Sequence, residues 1–241
     1  MPISSPAVSV VMAIRNAERY LTSALDSILA QTFQEFEIIV VDGASTDESL
    51  RIAKSYPAVT CISQIGTGFA NAWSQGIEVA RAPLVSFLDG DDVWAPEKLA
   101  LQVGYLKDHP NKGYVFGRVE FFTSPGEVLP PGFKPSLMNG SHLAYMPGTS
   151  MFRRSVFDLI GLFESRWQIV SDIAWFHKLR EAAIDAGFID RVVLRKRVHS
   201  RNLSYSTEWD IYRRELFSLL KSSLDERRFK HEAISPTQDA S

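Results

Sequence analysis

The feature that most narrows the fold is a rhythm early in the chain. Four short apolar runs, residues 8–14, 36–41, 59–62 and 84–88, alternate with stretches of helical spacing. Leu21, Ala24, Leu25, Ile28 and Leu29 share one helical face after the first run, and Leu50, Ala53 and Tyr56 do so after the second. Gly66-Thr-Gly68 leads into a third helix that ends near Ala80. Short strands joined by single helices pair in parallel through right-handed crossovers, which cover both faces of the sheet. Runs with so little polar alternation suit strands buried on both sides. The expected class is α/β, a Rossmann-like, mostly parallel sheet with helices on both faces. Asn16 is expected to cap the first helix, and Ser45-Thr-Asp-Glu48 has the spacing of a capping box opening the second.

The fourth run ends in Leu88-Asp-Gly-Asp-Asp-Val-Trp94, where three carboxylates, Asp89, Asp91 and Asp92, follow the strand directly. Ligands of open α/β sheets bind beyond the carboxyl ends of strands, which is where these acids fall. Like charges this close repel, so the cluster suits a hard divalent cation held by oxygen. The plainer alternative is a polar strand-end loop in which Asp91 or Asp92 caps the next helix.

Composition sets the outer limits. A chain of 241 residues can bury ample core, in one large domain or two small ones. Its 45% hydrophobic and 22% charged residues are ordinary for a soluble globular protein. A net charge of −2 argues neither for nor against nucleic acid. The one cysteine, Cys61, excludes an intrachain disulfide framework and a Cys-rich zinc site. No run approaches a membrane span and the opening residues lack a signal-peptide pattern, so a cytoplasmic protein is expected.

The second half is less regular. Pro96 suits the first turn of a helix whose buried stripe is Leu99, Val103 and Leu106. Residues 114–122 read as a strand, and residues 123–147, rich in Pro, Gly and Ser, as a long functional or mobile loop. Residues 148–152 suggest another strand and 155–160 a short helix. Ser171 is expected to cap a helix with Ile173, Phe176, Leu179, Ala183 and Ala186 on one side. Residues 191–199 are strand-like, and a helix over about 207–224 carries Trp209, Tyr212, Leu216, Leu219 and Leu220 on its apolar face. One domain is expected over residues 1–228, with halves at about 7–95 and 96–205, and a polar, disordered tail over 229–241.

Several segments together carry a resemblance. Val8-Ser-Val-Val-Met-Ala-Ile-Arg-Asn16, with Tyr20-Leu21, Ser27 and Gln31-Thr32-Phe33, resembles the opening of an inverting family 2 glycosyltransferase. Phe36-Glu-Ile-Ile-Val-Val-Asp-Gly-Ala-Ser-Thr-Asp47 is similar to that family's second strand and acidic turn, and Phe87-Leu-Asp-Gly-Asp-Asp-Val-Trp94 to its metal-binding segment. Met151-Phe-Arg-Arg154, Gly161-Leu-Phe163 and Ser171-Asp-Ile-Ala-Trp-Phe176 follow in family order. The resemblance spans roughly residues 7–200. It implies a GT-A fold, a nucleotide-sugar donor and a divalent metal, Mn2+ or Mg2+.

The resemblance also implies roles. Asp42 would meet the uracil N–H of the donor, and Ala13 stands where the family contacts the base, leaving only its backbone and methyl. Asp91 would ligate the metal directly, while Asp89 sits nearer the ribose or reaches the metal through water. Asp172 would be the general base; family members usually carry Glu-Asp there, where this chain has Ser171-Asp172. A carboxylate at a helix start is also favoured by the macrodipole, which is expected to lower its pKa. His199, in Arg195-Lys-Arg-Val-His199 before Asn202-Leu-Ser204, resembles a late segment that approaches the metal or diphosphate, with Arg197 pairing with phosphate. Trp73-Ser74 replaces a frequent Arg-Asn or Ile-Asn pair; Trp73 would either stack on the nucleotide or belong to the core.

The implied activity is inverting transfer of a sugar from a nucleoside diphosphate, UDP first, to a hydroxyl acceptor in glycan or glycolipid synthesis of the cell envelope. Residues 7–95 would hold the donor and 96–205 the acceptor. The missing Glu before Asp172 leaves open a catalytically inactive sugar-nucleotide binder. Asp89-Gly-Asp91-Asp-Val93 also fits the signature of haloacid-dehalogenase-like phosphatases, but there it follows the first core strand, and no Asp-Asp pair occurs after Asp92. A nicotinamide enzyme wants Gly-X-Gly-X-X-Gly after the first strand, where this chain has Ala13-Ile-Arg-Asn16. Nucleic acid is not an expected partner. Eleven Lys/Arg face five Asp/Glu between residues 191 and 231, a formal +6. That region is either a solvated face or a peripheral contact with anionic lipid at the inner face of the membrane, which would suit a lipid-linked acceptor.

Overall fold

A computed structural model of the chain describes residues 5–167, 169–202 and 211–222. The elements of the first half are β1 (Val8–Ile14), α1 (Glu18–Leu29), β2 (Phe36–Asp42), α2 (Ser49–Lys54), β3 (Val59–Ser63), α3 (Phe69–Val79) and β4 (Leu84–Phe87). The second half adds β5 (Val93–Trp94), α4 (Lys98–Asp108), β6 (Tyr114–Phe122), β7 (Ser141–Leu143), β8 (Ser150–Arg153), α5 (Arg154–Ile160), α6 (Ser171–Glu181) and β9 (Ala186–Arg197). The strands lie in one sheet in the order β3-β2-β1-β4-β8-β6-β9-β5, with β7 paired on β6.

The first four strands pair in parallel, Val8 opposite both Phe36 and Leu84. β8 then joins antiparallel to β4 and β6, while β6 and β9 run parallel through two register shifts around Arg118. Chain order reverses at β1: β2 and β3 lie to one side of it and β4 to the other. That reversal opens a crevice at the carboxyl ends of β1 and β4.

Alternation along β1 divides the core between the two faces. Val8, Val10, Met12 and Ile14 pack with Leu21, Leu25 and Ile28 of α1. Val11 and Ala13 pack with Ala72, Trp73 and Ile77 of α3. Each Val, Leu or Ile so buried contributes about 1.5–3 kcal/mol. α3 presses so close to β1 that a Cβ on Gly76 would lie 2.2 Å from Val11 Cγ1. Trp73, 6% exposed, touches Phe69, Phe87 and Phe163 and belongs to this core rather than to a stacking surface.

Several expected local features are corrected. Asn16 does not cap α1; it has φ 52°, and its Oδ1 accepts from Thr46 N at 2.8 Å. The capping box at residues 45–48 is not formed either. The two loops cap one another instead: Asp47 Oδ2 accepts from Glu18 N at 3.1 Å, and Glu18 Oε2 accepts from Glu48 N at 2.9 Å. α6 starts at Ser171 without a side-chain cap and buries Ala174, Trp175 and Leu179, while Ile173 is exposed and Ala186 belongs to β9. The amides ahead of α6 are taken by another element: Glu215 Oε2 accepts from Ile169 N at 2.9 Å and Val170 N at 3.1 Å.

The long loop over residues 123–147 contains β7 and a 3-10 turn at Pro135–Met138. Residues 211–222 are helical, with Leu219 buried against Trp167, Val170 and Ala174, whereas Leu220 is exposed. Trp209, the ends of that expected helix and the 229–241 tail lie outside the described residues. No helix among the described residues is long and apolar enough to cross a membrane.

Candidate functional site

The chain leaves β4 at Phe87 and turns sharply, Asp92 N donating to Asp89 O at 3.2 Å. Gly90 seats this turn on the end of β1: a Cβ there would meet Ala17 at 3.1 Å and Ile14 at 3.2 Å. Ile14 is in register with Asp42 at the end of β2, so both acidic turns open on the same end of the sheet. β5 then pairs antiparallel with β9, Val93 opposite Arg195, which delivers Lys196, Arg197 and His199 to the acids.

Carboxylate oxygens of Asp89, Asp91 and Asp92 lie within 4.8 Å of one another. Lys196 Nζ donates to Asp92 Oδ2 at 2.8 Å and to Asp89 Oδ2 at 3.4 Å. Arg197 N donates to Asp92 Oδ1 at 2.8 Å. Asp92 is thus a buried structural anchor; it does not cap the following helix, which begins at Lys98. Asp91 Oδ2 accepts from His199 Nε2 at 2.9 Å and Asn202 Nδ2 at 3.2 Å. Arg201 N donates to His199 Nδ1 at 3.2 Å, so that nitrogen is unprotonated and Nε2 carries the hydrogen given to Asp91.

Arg197 departs from the expected phosphate role. Its guanidinium lies 4.6 Å from the Tyr20 ring centroid and 4.5 Å from that of Phe122, and its Nε donates to the Asp91 carbonyl at 2.8 Å. Nη1 and Nη2 donate to the hydroxyls of Ser124 and Ser23. All of these partners hold the acid loop and its neighbours.

The cluster is short of positive charge. Burial raises the Asp89 and Asp92 carboxyls, Asp92 to about 7, because the pull of Lys196 does not outweigh desolvation and the neighbouring acids. Asp91 runs the other way: burial is overcome by the His199 hydrogen bond and Lys196, which hold it below its usual value. Lys196 is held well above its usual range; burial opposes its charge, and three carboxylates more than restore it. Three hard oxygen donors that remain under-compensated fit a divalent cation such as Mg2+ or Mn2+.

The remaining predicted residues fall around this crevice. Asp42, 5% exposed at the end of β2, accepts from Ser45 N at 3.3–3.4 Å through both oxygens. Ala13 is buried on β1, opposite Val41. Asp172, in the first turn of α6, is close enough to Asp89 and Lys196 to feel both charges. Its carboxyl is raised to about 6, chiefly by burial and also by Asp89, against the hydrogen bond from Ile173 N. The downward shift expected from the helix dipole is overturned by desolvation.

Lys196, Asn202 and Tyr20 are the neighbours that sequence reasoning did not place here. The Tyr20 ring lies tilted against that of His199, centroids 4.8 Å apart, and its OH donates to Glu127 Oε1 at 2.5 Å. The basic run at residues 195–197 was legible as charge, but nothing local showed which of its members faces the acids.

Residues 9–161 match the Glycosyl transferase family 2 sequence profile. A protein named glycosyltransferase EpsE of Bacillus subtilis is 33% identical over 164 residues, covering 64% of this chain and 59% of that protein. An uncharacterized glycosyltransferase of Rickettsia prowazekii is 31% identical over 212 residues, 82% of this chain and 66% of its own length. This chain therefore spans 59–66% of the length of these relatives. Among solved structures, the mannosyltransferase PcManGT from Pyrobaculum calidifontis, in complex with GDP-Man and Mn2+, superposes with a TM-score of 0.67 at 22% identity, over 93% of this chain and 66% of that one. S. aureus TarS in complex with UDP gives 0.63 at 20% identity, over 79% and 60%. These neighbours share the GT-A fold. With the profile match extending over most of the sheet that carries both acidic turns, the chain belongs to glycosyltransferase family 2.

Proposed function

We propose that the protein is an inverting glycosyltransferase that moves a sugar from a nucleoside diphosphate, UDP first, to a hydroxyl acceptor of a glycan or lipid-linked glycan. The observation that carries this reading is the convergence of Asp89, Asp91 and Asp172 on one end of the sheet. Asp42 accepts a hydrogen bond from the base edge, Ala13 lines the base through its backbone and methyl, and Asp89 orients the ribose. Asp91 is the assigned metal ligand. His199 steadies Asp91 Oδ2 as the Nε2–H tautomer and would join it as a ligand only with the proton moved to Nδ1, where Arg201 N now donates. Held there, Mn2+ or Mg2+ would neutralise the donor diphosphate and the charge that develops on the leaving group.

Asp172 takes the proton of the acceptor hydroxyl while that oxygen bonds to the anomeric carbon and the bond to the departing nucleotide breaks. A carboxyl raised to about 6 is a stronger base than an ordinary aspartate and is still ionised at neutral pH. Thermal shift with UDP and GDP, each with and without Mn2+, tests the donor site: stabilisation by UDP that requires metal is expected, and none under any combination would overturn the reading. Asp172→Asn should keep that shift and lower kcat by roughly 10²–10⁴-fold. In the native protein the acid limb of kcat/KM should fall off below about pH 6 as Asp172 protonates; a limb absent down to about pH 4 would move the base elsewhere.

A further inference from the structure

Lys196 occupies an unusual place in this site. Adjacent residues of a strand diverge, and β9 sends the Arg197 guanidinium between Tyr20 and Phe122 while Lys196 turns into the acids. Among the described residues, Lys196 is the one Lys or Arg side chain in ion-pair contact with Asp89, Asp91 or Asp92. Its side chain is 18% exposed and bonds the fully enclosed Asp92 and Oδ2 of the partly exposed Asp89, with no ion pair to Asp91. The protein thus supplies its own cation to one side of the cluster. On the other side, His199 Nε2 lies 2.9 Å from Asp91 Oδ2.

We propose that Lys196 sets the charge of the acid cluster. By formal charge, three carboxylates and one ammonium carry two negative charges, which one divalent ion balances. Lys196 therefore weakens uptake of the ion by the donor-free protein, since its ammonium, held on Asp89 and Asp92, repels a second cation arriving at the neighbouring Asp91. The diphosphate of the donor brings further oxygens and negative charge to the ion, so ion and donor arrive together. The inference rests on reading the acid cluster as a metal site.

The test is Mn2+ binding to the donor-free protein at about pH 8, read from the electron paramagnetic resonance of free Mn2+. Lys196→Met should tighten Mn2+ binding at least roughly tenfold, and Lys196→Arg should stay near native. Asp92→Asn should weaken it, and Asp92→Asn combined with Lys196→Met, which restores two net negative charges, should return it towards native. A purely structural role for Lys196 predicts the opposite sign, because a disordered cluster binds less metal. Unchanged or weaker binding in Lys196→Met overturns the proposal while leaving the metal site standing. If Lys196→Met does not fold, the comparison moves to the Asp92→Asn background, where a double variant no tighter than Asp92→Asn overturns it. Absence of Mn2+ binding in the native protein and every variant removes the metal site and this proposal together.

Discussion

Lys98 shows what one side chain contributes against its apparent chemistry. It is 0% exposed, and its Nζ donates to Ser86 Oγ at 2.9 Å, Gln102 Oε1 at 2.5 Å and Ser150 O at 3.2 Å, with the Trp94 ring 4.5 Å away. No carboxylate pairs with it in those contacts, and burial pushes its amine well below the ordinary lysine range. The folded protein therefore loses this proton at a lower pH than the unfolded chain does. Between the lowered value and about 10.4 the unfolded chain binds more protons, so the contribution of Lys98 to stability rises with pH. Thermal unfolding of native protein and Lys98→Met from about pH 7 to about pH 10 should show the difference moving in favour of the native chain. A difference independent of pH would mean that Lys98 titrates normally in the fold. The sequence pattern placed Leu99, Val103 and Leu106 on the buried side of α4, and Leu99 and Leu106 are there. That Lys98 and Gln102 are buried with them was not legible, because their acceptors come from β4, β8 and the turn before β8.

At the scale of elements, helix starts are secured by partners distant in sequence. α1 and α2 exchange acidic caps across a separation of about 30 residues, and α6 receives Glu215 from the C-terminal helix. Asn16, Ser45 and Ser171 were the natural local choices because Asn and Ser favour cap positions. They were overruled once neighbouring loops came close enough to offer carboxylates, which also suit the positive end of a helix. Glu215→Ala should cost about 1–2 kcal/mol in urea unfolding by stripping the amides ahead of Asp172. The same change should lower kcat more than it raises donor KM, since α6 carries the proposed base and the donor crevice lies between β1 and β4. Unchanged stability would show that water replaces Glu215 without loss.

At the scale of the whole molecule, the loop over residues 123–147 is tied back to the site. Glu127 accepts from Tyr20 OH at 2.5 Å and pairs with Arg19 at 2.5 Å, and Phe133 is buried against Phe121. The loop thus ends one side of the crevice while resting on α1, which suits an element that meets the acceptor. Glu127→Ala should raise acceptor KM about 3–10-fold with donor KM nearly unchanged, because the donor strands do not depend on this tie. An equal rise in both constants would contradict an acceptor role for the loop.

The sequence by itself determined the strands and helices of the first half and the class. Periods of two and 3.6 residues report local burial, so the four apolar runs, their helices and the acids at the end of the fourth strand were readable without a partner in view. Motif order also carried the family, because the segments around Asp42, Asp89 and Asp91 keep their sequence context. Only the tertiary structure decided the electrostatics. Lys196 meets Asp92 across 104 residues because the two-residue β5 pairs with β9, and a shift of one residue in that register would exchange Lys196 for Arg197. Desolvation, likewise a property of packing, turned the expected lowering of Asp172 into a rise. Local pattern names the chemistry at each position; long-range pairing decides which charges share a site.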